Sequence, residues 1–281
     1  MCDVNGMPEV PEVPHVPLVS EADAERRFGG LRRLYGDVGY ARIRALRIAV
    51  VGVGGVGSWA AEALARSGVA ALTLIDLDHV SESNINRQVQ ALGATLGQAK
   101  VQALRERIED IHPACVVTCI EEFVDEANWP GLLPAAVDGV IDACDQVRAK
   151  SALAAWALQT NMPLVIVGAA GGKRKPHEVQ VDDLAHVTHD PLLAALRQRL
   201  RKQHGAARSG PLGLSCVHSC EPAAPPEGGG TDGGLNCHGY GSSVGVTATF
   251  GMVAASLALE FGVLRASPIC AAAIIEGLPG C

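Results

Sequence analysis

Several polar clusters in this chain have the residue types and spacing to hold a phosphorylated ligand and balance its charge. Asp76 and Asp78 close the apolar run Ala71-Leu72-Thr73-Leu74-Ile75, and Ser83-Asn84-Ile85-Asn86-Arg87-Gln88 follows. Gly97-Gln98-Ala99-Lys100 comes next, and Asp142-Ala143-Cys144-Asp145 closes a later apolar run. Arg87 and Lys100 supply cationic charge for a triphosphate, and Asp145 suits a magnesium ion bridging phosphate oxygens. A hydride-transfer cofactor needs no cation cluster beside a metal carboxylate, so the set favours ATP over NAD. Taken singly, Asp145 also reads as the N-cap of a helix from Gln146, and Lys100 as part of a solvated helix face.

The elements that must position these residues begin with Ile48-Ala49-Val50-Val51, an apolar strand that empties into Gly52-Val53-Gly54-Gly55-Val56-Gly57-Ser58. The helix pattern Trp59-Ala60-Ala61-Glu62-Ala63-Leu64-Ala65-Arg66 starts at once. Glycines allow a tight turn and close approach of backbone to ligand, and the helix start offers unpaired N–H groups and partial positive charge. Asp76 lies about 20 residues beyond the glycines, where a ribose partner is expected. Together these features predict nucleotide binding.

Strand and helix then alternate. A helix is predicted over 98–111, with Val101, Leu104 and Ile108 on one face, and strands at 116–120, 139–142 and 164–167. This alternation implies an α/β fold, a Rossmann-like, mostly parallel sheet with helices on both faces. Ligands of such sheets bind outside the carboxyl ends of the strands, where the polar clusters fall. A basic helical stretch runs from Glu21 to about Arg47. Beyond Gly172 the pattern loosens, with a helix from Asp190 to His204 opened by Asp-Pro and a final helix over 243–264. The expected organisation is an extended leader over 1–20, with proline at every third position from Pro8 to Pro17. One ATP-binding domain over 21–264 follows, with 205–234 as a flexible loop region, and then an unassigned tail over 265–281.

Composition sets bounds. Of 281 residues 48% are hydrophobic, yet no uninterrupted apolar run has the length expected of a spanning segment, and no secretory signal is visible, so no membrane role is expected. Nine cysteines without such a signal favour reduced thiols and a cytoplasmic setting. A net charge of −7 argues against broad affinity for nucleic acid, though not against a local basic patch. Lys173-Arg174-Lys175 and the Arg197, Arg199, Arg201, Lys202 group are the candidates for tracking an RNA backbone. Cys216-Val217-His218-Ser219-Cys220 with Cys237-His238 lacks the spacing of a structural zinc site.

The motifs Gly52-x-Gly54-Gly55-x-Gly57-Ser58, Asp76-x-Asp78, Ser83-Asn84-x-Asn86-Arg87-Gln88, Gly97-x-x-Lys100 and Asp142-x-x-Asp145 resemble the signature set of the ubiquitin-activating-enzyme-like adenylyltransferases. That superfamily includes the activators of the sulfur carriers for thiamine and molybdopterin synthesis. Three further segments make the chain most similar to its tRNA threonylcarbamoyladenosine dehydratase branch. They are Arg27-Phe28-Gly29-Gly30-x-x-Arg33-Leu34-Tyr35-Gly36, the run from Gly55 to Arg66, and Val246-Thr247-Ala248-Thr249-Phe250-Gly251.

The resemblance implies that the glycine turn and Gln88 belong to the ATP site, and that Asp76 holds the ribose. Asn84, Arg87 and Lys100 contact the phosphates, and Asp145 binds magnesium. Arg33 reaches the partner subunit's site, which implies a homodimer. The implied activity is ATP-dependent dehydration of a modified adenosine in tRNA through an acyl-adenylate. The rival activity is adenylation of the C-terminal glycine of a ubiquitin-like sulfur carrier, and a sulfur-relay protein is a further candidate partner. Cys237, just before the last helix, reads either as a reactive thiol or as a small buried residue.

Overall fold

The computed structural model describes residues 23–134, 136–224 and 240–264. The leader, the tail and Cys237 lie outside the described residues.

Seven strands form one sheet in the order β3-β2-β1-β4-β5-β7-β6. The strands are β1 (Arg47–Val51), β2 (Ala71–Ile75), β3 (Val116–Ile120), β4 (Gly139–Asp142), β5 (Leu164–Val167), β6 (Val179–Asp183) and β7 (Ser215–Ser219). Every pairing is parallel except β6 with β7. The helices are α1 (Ala24–Phe28), α2 (Gly30–Ala45), α3 (Gly57–Arg66), α4 (Lys100–Ile111), α5 (Val147–Thr160), α6 (Pro191–Gln203) and α7 (Val244–Leu264).

Alternate strand residues face opposite layers, as the period of two requires. Val50, Leu72, Ile141 and Val217 point to the layer of α3, α4 and α7, and pack with Leu64, Leu104 and Phe250. Ala49, Val140, Ile166 and Cys216 point to the layer of α5 and α6, and pack with Leu153, Leu193 and Leu196. Burying each large side chain contributes about 1.5–3 kcal/mol. Helix α7 is long and apolar enough by composition to cross a bilayer, but here Phe250, Ala254 and Ala258 sit in the sheet's core. It meets α3 closely, because a Cβ on Gly251 would lie 2.6 Å from the carbonyl oxygen of Val56.

Glu62 stitches α3 to α4. Its carboxylate pairs with Arg66 Nη2 at 2.8 Å and with Arg107 from α4, and its side chain is only 5% exposed. Burial alone would raise its pKa, but the two guanidiniums outweigh that and lower it from 4.5. A depressed carboxyl pKa stabilises the fold above the unfolded value, and that contribution is lost as pH falls through the folded value. Glu62→Gln is therefore expected to cost about 1–3 kcal/mol at pH 7. The deficit should shrink steadily below about pH 4.5, as urea titrations across pH would read; a deficit independent of pH would refute the ion-pair account.

Four differences from expectation have physical causes. Residues 24–45 of the basic stretch form two helices that part at Gly29, and α2 bends at Gly36, whose φ is +70°. Helix α4 starts at Lys100 rather than Gln98, because residues 97–99 pair back onto 78–80. Strand β6 follows Gly172, where the pattern loosened. In the region 205–234, read as loop, residues 215–219 form β7, which lies inside the sheet between β5 and β6, while 225–234 lie outside the described residues. Its Ser-Cys-Val-His-Ser sequence carries little apolar signal, and burial is imposed on it by neighbouring strands. His218 shows the consequence: it is 2% exposed, neither ring nitrogen has a hydrogen-bond partner, and burial pulls its pKa down.

Candidate nucleotide-binding active site

Strand order reverses between β1 and β4, and the crevice at their carboxyl ends is where ligands of doubly wound sheets bind. The glycine turn leaves β1 there and Asp142-Ala143-Cys144-Asp145 leaves β4. The two loops touch. Gly52 has φ +82°, and a Cβ on it would lie 2.9 Å from the carbonyl oxygen of Ala143. A Cβ on Gly57 would fall 1.8 Å from the carbonyl oxygen of Gly52. Gly54 differs, since its nearest neighbour would be Gln88 Nε2 at 3.9 Å, so space opens over the turn at that residue.

These distances give a paired prediction. Gly57→Ala should destabilise the fold by about 1–3 kcal/mol through overpacking and abolish nucleotide binding. Gly54→Ala should keep the thermal midpoint and lose nucleotide affinity about tenfold, because its methyl group occupies the open space. Thermal melts with and without ATP separate the two; equal behaviour of the variants would contradict the geometry.

Asp76 stands at the end of β2 facing the turn. Its Oδ2 accepts from the Val53 N–H at 2.8 Å and its Oδ1 from the Asp78 N–H at 2.9 Å. Each oxygen keeps a lone pair for a ribose hydroxyl. Burial raises its pKa, opposed by Lys100 and by the two N–H groups. Lys100 is 7% exposed and so is not on a solvated face. Its Nζ donates to Asp78 Oδ2 at 2.7 Å, and its backbone N–H donates to the Asp78 carbonyl at 3.0 Å. The second aspartate of Asp76-x-Asp78 therefore aims the lysine.

Arg87 crosses the glycine turn, with its Cδ 3.5 Å from where a Gly55 Cβ would be. Its carbonyl accepts from the Trp59 indole N–H at 2.9 Å and from the Thr247 hydroxyl at 3.4 Å. Neighbouring Asn86 donates to the Ser242 carbonyl at 2.9 Å. Trp59, Thr247 and Ser242 are positioning residues that sequence reasoning missed, although Trp59 and Thr247 lie within motifs it had singled out. Asn84 is buried, and its Oδ1 caps the Ser81 N–H at 3.0 Å, which leaves its amide N–H₂ to meet an anion. Gln88 is buried beneath the turn, where its Oε1 accepts from Gln90 Nε2 at 3.3 Å.

Asp145 is exposed, and the N-cap of α5 is Gln146, so its carboxylate is not committed to a cap. Behind it lies a buried ion pair. Lys150 Nζ donates to Asp142 Oδ1 at 3.1 Å and to the Val167 carbonyl at 2.7 Å, and both side chains are fully enclosed. Burial opposes the lysine's charge, but Asp142 more than restores it and its pKa is raised. Asp142 Oδ1 also accepts from the Cys144 N–H at 3.2 Å and from its thiol at 2.8 Å, and burial with that carboxylate raises the thiol pKa well above normal. Asp142 and Lys150 thus fix the turn that carries Asp145.

The RNA-tracking candidates divide. Lys173 is 3% exposed, with Nζ donating to the carbonyls of Ser219 and Glu221 at 3.1 and 2.7 Å, so it cannot track a backbone. On α6, Arg197 and Arg201 bond loop carbonyls and Arg199 pairs with Glu126. Arg33 is exposed on α2. Among the described residues no His, Cys, Asp or Glu cluster forms a metal site.

Residues 28–261 match the ThiF family. The chain belongs to that family. Within it, the chain is 44% identical to tRNA threonylcarbamoyladenosine dehydratase of Escherichia coli, over 88% of this chain and 97% of that protein. It is 40% identical to the Haemophilus influenzae protein of the same name, over 84% and 93%. The crystal structure of E. coli tRNA N6-threonylcarbamoyladenosine dehydratase, TcdA, in complex with ATP superposes with a TM-score of 0.80 over 87% of this chain and 97% of that one. Molybdopterin-synthase adenylyltransferase of E. coli is 37% identical, but over only 45% of this chain and 51% of its own length.

Proposed function

We propose that this ThiF-family chain is an ATP-dependent tRNA threonylcarbamoyladenosine dehydratase. The observation that carries the reading is similarity along nearly the whole length of the E. coli and H. influenzae dehydratases, against about half the length of the E. coli molybdopterin-synthase adenylyltransferase. The sulfur-carrier alternative is not favoured, and a sulfur-relay partner rests only on that partial similarity.

The chemistry follows from a poor leaving group. A carboxylate cannot be attacked directly because oxide does not leave. Its oxygen attacks the α-phosphorus of ATP, pyrophosphate departs, and the carboxyl carbon becomes an acyl-adenylate. A nitrogen of the same threonylcarbamoyl substituent attacks that carbon, closes a ring and expels AMP, for a net loss of water. No protein nucleophile is needed, so the residues act by holding geometry and offsetting charge. Asp76 accepts the ribose hydroxyls. Asn84, Arg87 and Lys100 face the phosphates, with Gln88 and Gly52, Gly54, Gly55 and Gly57 shaping the floor. Arg33, exposed and without a partner among the described residues of its own chain, suits a residue that completes the site of a second copy in a homodimer.

An uncapped, exposed Asp145 beside the glycine turn fits a divalent-ion ligand. Magnesium held there would offset phosphate charge as pyrophosphate departs. The free thiols of Cys115, Cys119, Cys144, Cys216 and Cys220 fit a cytoplasmic setting.

The deciding experiment presents purified protein with threonylcarbamoyladenosine-bearing tRNA, ATP and magnesium, and reads the nucleoside by mass spectrometry. Loss of one water is the expected result. An unchanged nucleoside alongside demonstrated ATP binding would redirect the search to a protein carboxyl terminus.

A further inference from the structure

A protein of net charge −7 that acts on a polyanion must concentrate its available cations where the polyanion lies. Most cationic side chains here are engaged within the fold. Arg27 bonds the carbonyls of Asp110 and Ile111, Arg47 pairs with Asp138, and Arg107 with Glu62. Lys175 pairs with Glu178. Among the described residues, those without a partner are Arg26, Arg33, Arg148, Arg174, Lys202 and Arg208. Arg26 and Arg33 lie on the N-terminal helices, while Lys202 and Arg208 follow α6 to the opposite edge of the sheet, where β7 begins.

Arg148 and Arg174 remain, and both stand at the carboxyl edge. Arg148 is in the first turn of α5, three residues past Asp145, and is exposed. Arg174 is exposed in the loop that leaves β5, the parallel neighbour of β4. The two positions are tied together, because Lys150 on α5 donates to the last carbonyl of β5, that of Val167, at 2.7 Å. Both are also held rigid. Arg148 rides on a helix. The Arg174 N–H donates to Glu221 Oε2 at 2.9 Å, Lys173 is bolted to Ser219 and Glu221, and the Gly172 N–H donates to the Gly241 carbonyl at 2.8 Å. A fixed backbone under an unpaired guanidinium gives a phosphate contact at low ordering cost.

We propose that Arg148 and Arg174 are the phosphate contacts that seat the tRNA backbone over the adenylation site. This assignment rests on the dehydratase reading and adds the residues that bring its polyanionic substrate to the site. It gives an acidic protein two fixed cations at the carboxyl edge with which to orient a tRNA backbone, since phosphate contacts set position rather than sequence.

The test uses the full chain, threonylcarbamoyladenosine-bearing tRNA and ATP, with Arg148→Gln, Arg174→Gln and the double variant. Each single change should raise KM for tRNA about tenfold, the scale of one charge-assisted hydrogen bond. Turnover at saturation and ATP affinity should stay as in the wild type. The fall of log(kcat/KM) with log[salt] should flatten by about 0.7–0.9 per arginine removed. Lys202→Gln and Arg208→Gln, at the far edge, should match the wild type. Unchanged KM and salt slope in the double variant, with the wild type active, would overturn this assignment and leave the dehydratase reading standing. Loss of ATP affinity in step with the rise in KM would overturn it too, by making the arginines nucleotide contacts. A wild type that leaves the nucleoside unchanged would overturn the dehydratase reading and this assignment together.

Discussion

Asp145→Ala is expected to lower dehydration turnover by about a thousandfold or more while leaving the fold intact. The size follows from the proposed magnesium role, in which removing the Asp145 carboxylate forfeits charge compensation on the phosphates worth several kcal/mol in a water-poor site. The intact fold follows from the structure, because Asp145 is exposed, caps no helix, and sits on a turn whose hydrogen bonds are made by Asp142. Calorimetry should find ATP binding without magnesium unaffected, and the enhancement of binding by magnesium lost. Asp145→Asn should recover little, since an amide lacks the charge. Wild-type rates in the alanine variant would remove Asp145 from the mechanism.

Lys150→Met should destabilise the fold more than any other single change proposed here. Methionine preserves volume, but it leaves the enclosed Asp142 carboxylate without its cation, and breaking a buried pair costs about 3–5 kcal/mol. Asp142 Oδ2 already has no hydrogen-bond partner, so the carboxylate has little else to lean on. The expected thermal midpoint falls by about 10 °C. The double variant Asp142→Asn, Lys150→Met removes both charges and should recover more than half of that loss. Catalysis should not follow stability in the double variant. The Cys144 N–H and the Val167 carbonyl lose the charged groups that fix the turn, so the magnesium concentration for half-maximal turnover should stay raised. Recovery of stability with full recovery of magnesium dependence would mean that the pair serves only the fold.

Much of the site was legible in sequence because its signals are local. A glycine turn between an apolar strand and a helix, and carboxylates at strand ends, need only backbone geometry and a parallel sheet to be interpreted. Asp76, Lys100, Arg87 and Asp145 could therefore be picked out as candidates, and the structure brings Asp76 against the Val53 N–H of the turn and Lys100 against Asp78. The cationic stretches misled, because a run such as Lys173-Arg174-Lys175 says nothing about which members are buried. Lys173 turns inward to two carbonyls while Arg174, one residue on, stays exposed.

The sequence by itself determined the α/β class and the glycine-rich β1–turn–α3 unit, and it marked the acidic and basic candidates around that turn, since each depends on residues close together in the chain. Tertiary structure alone decided the rest. It placed β7 inside the sheet, because five residues with little apolar signal are buried by neighbours distant in sequence. It turned Asp78 into the residue that aims Lys100, and it made Trp59 and Thr247 the anchors of the Arg87 carbonyl. It sealed Lys150 against Asp142 beneath the turn that carries Asp145. The physical reason is common to all of these. Whether a polar group is buried, and what then answers its hydrogen bonds and charge, is set by elements packing from far along the chain.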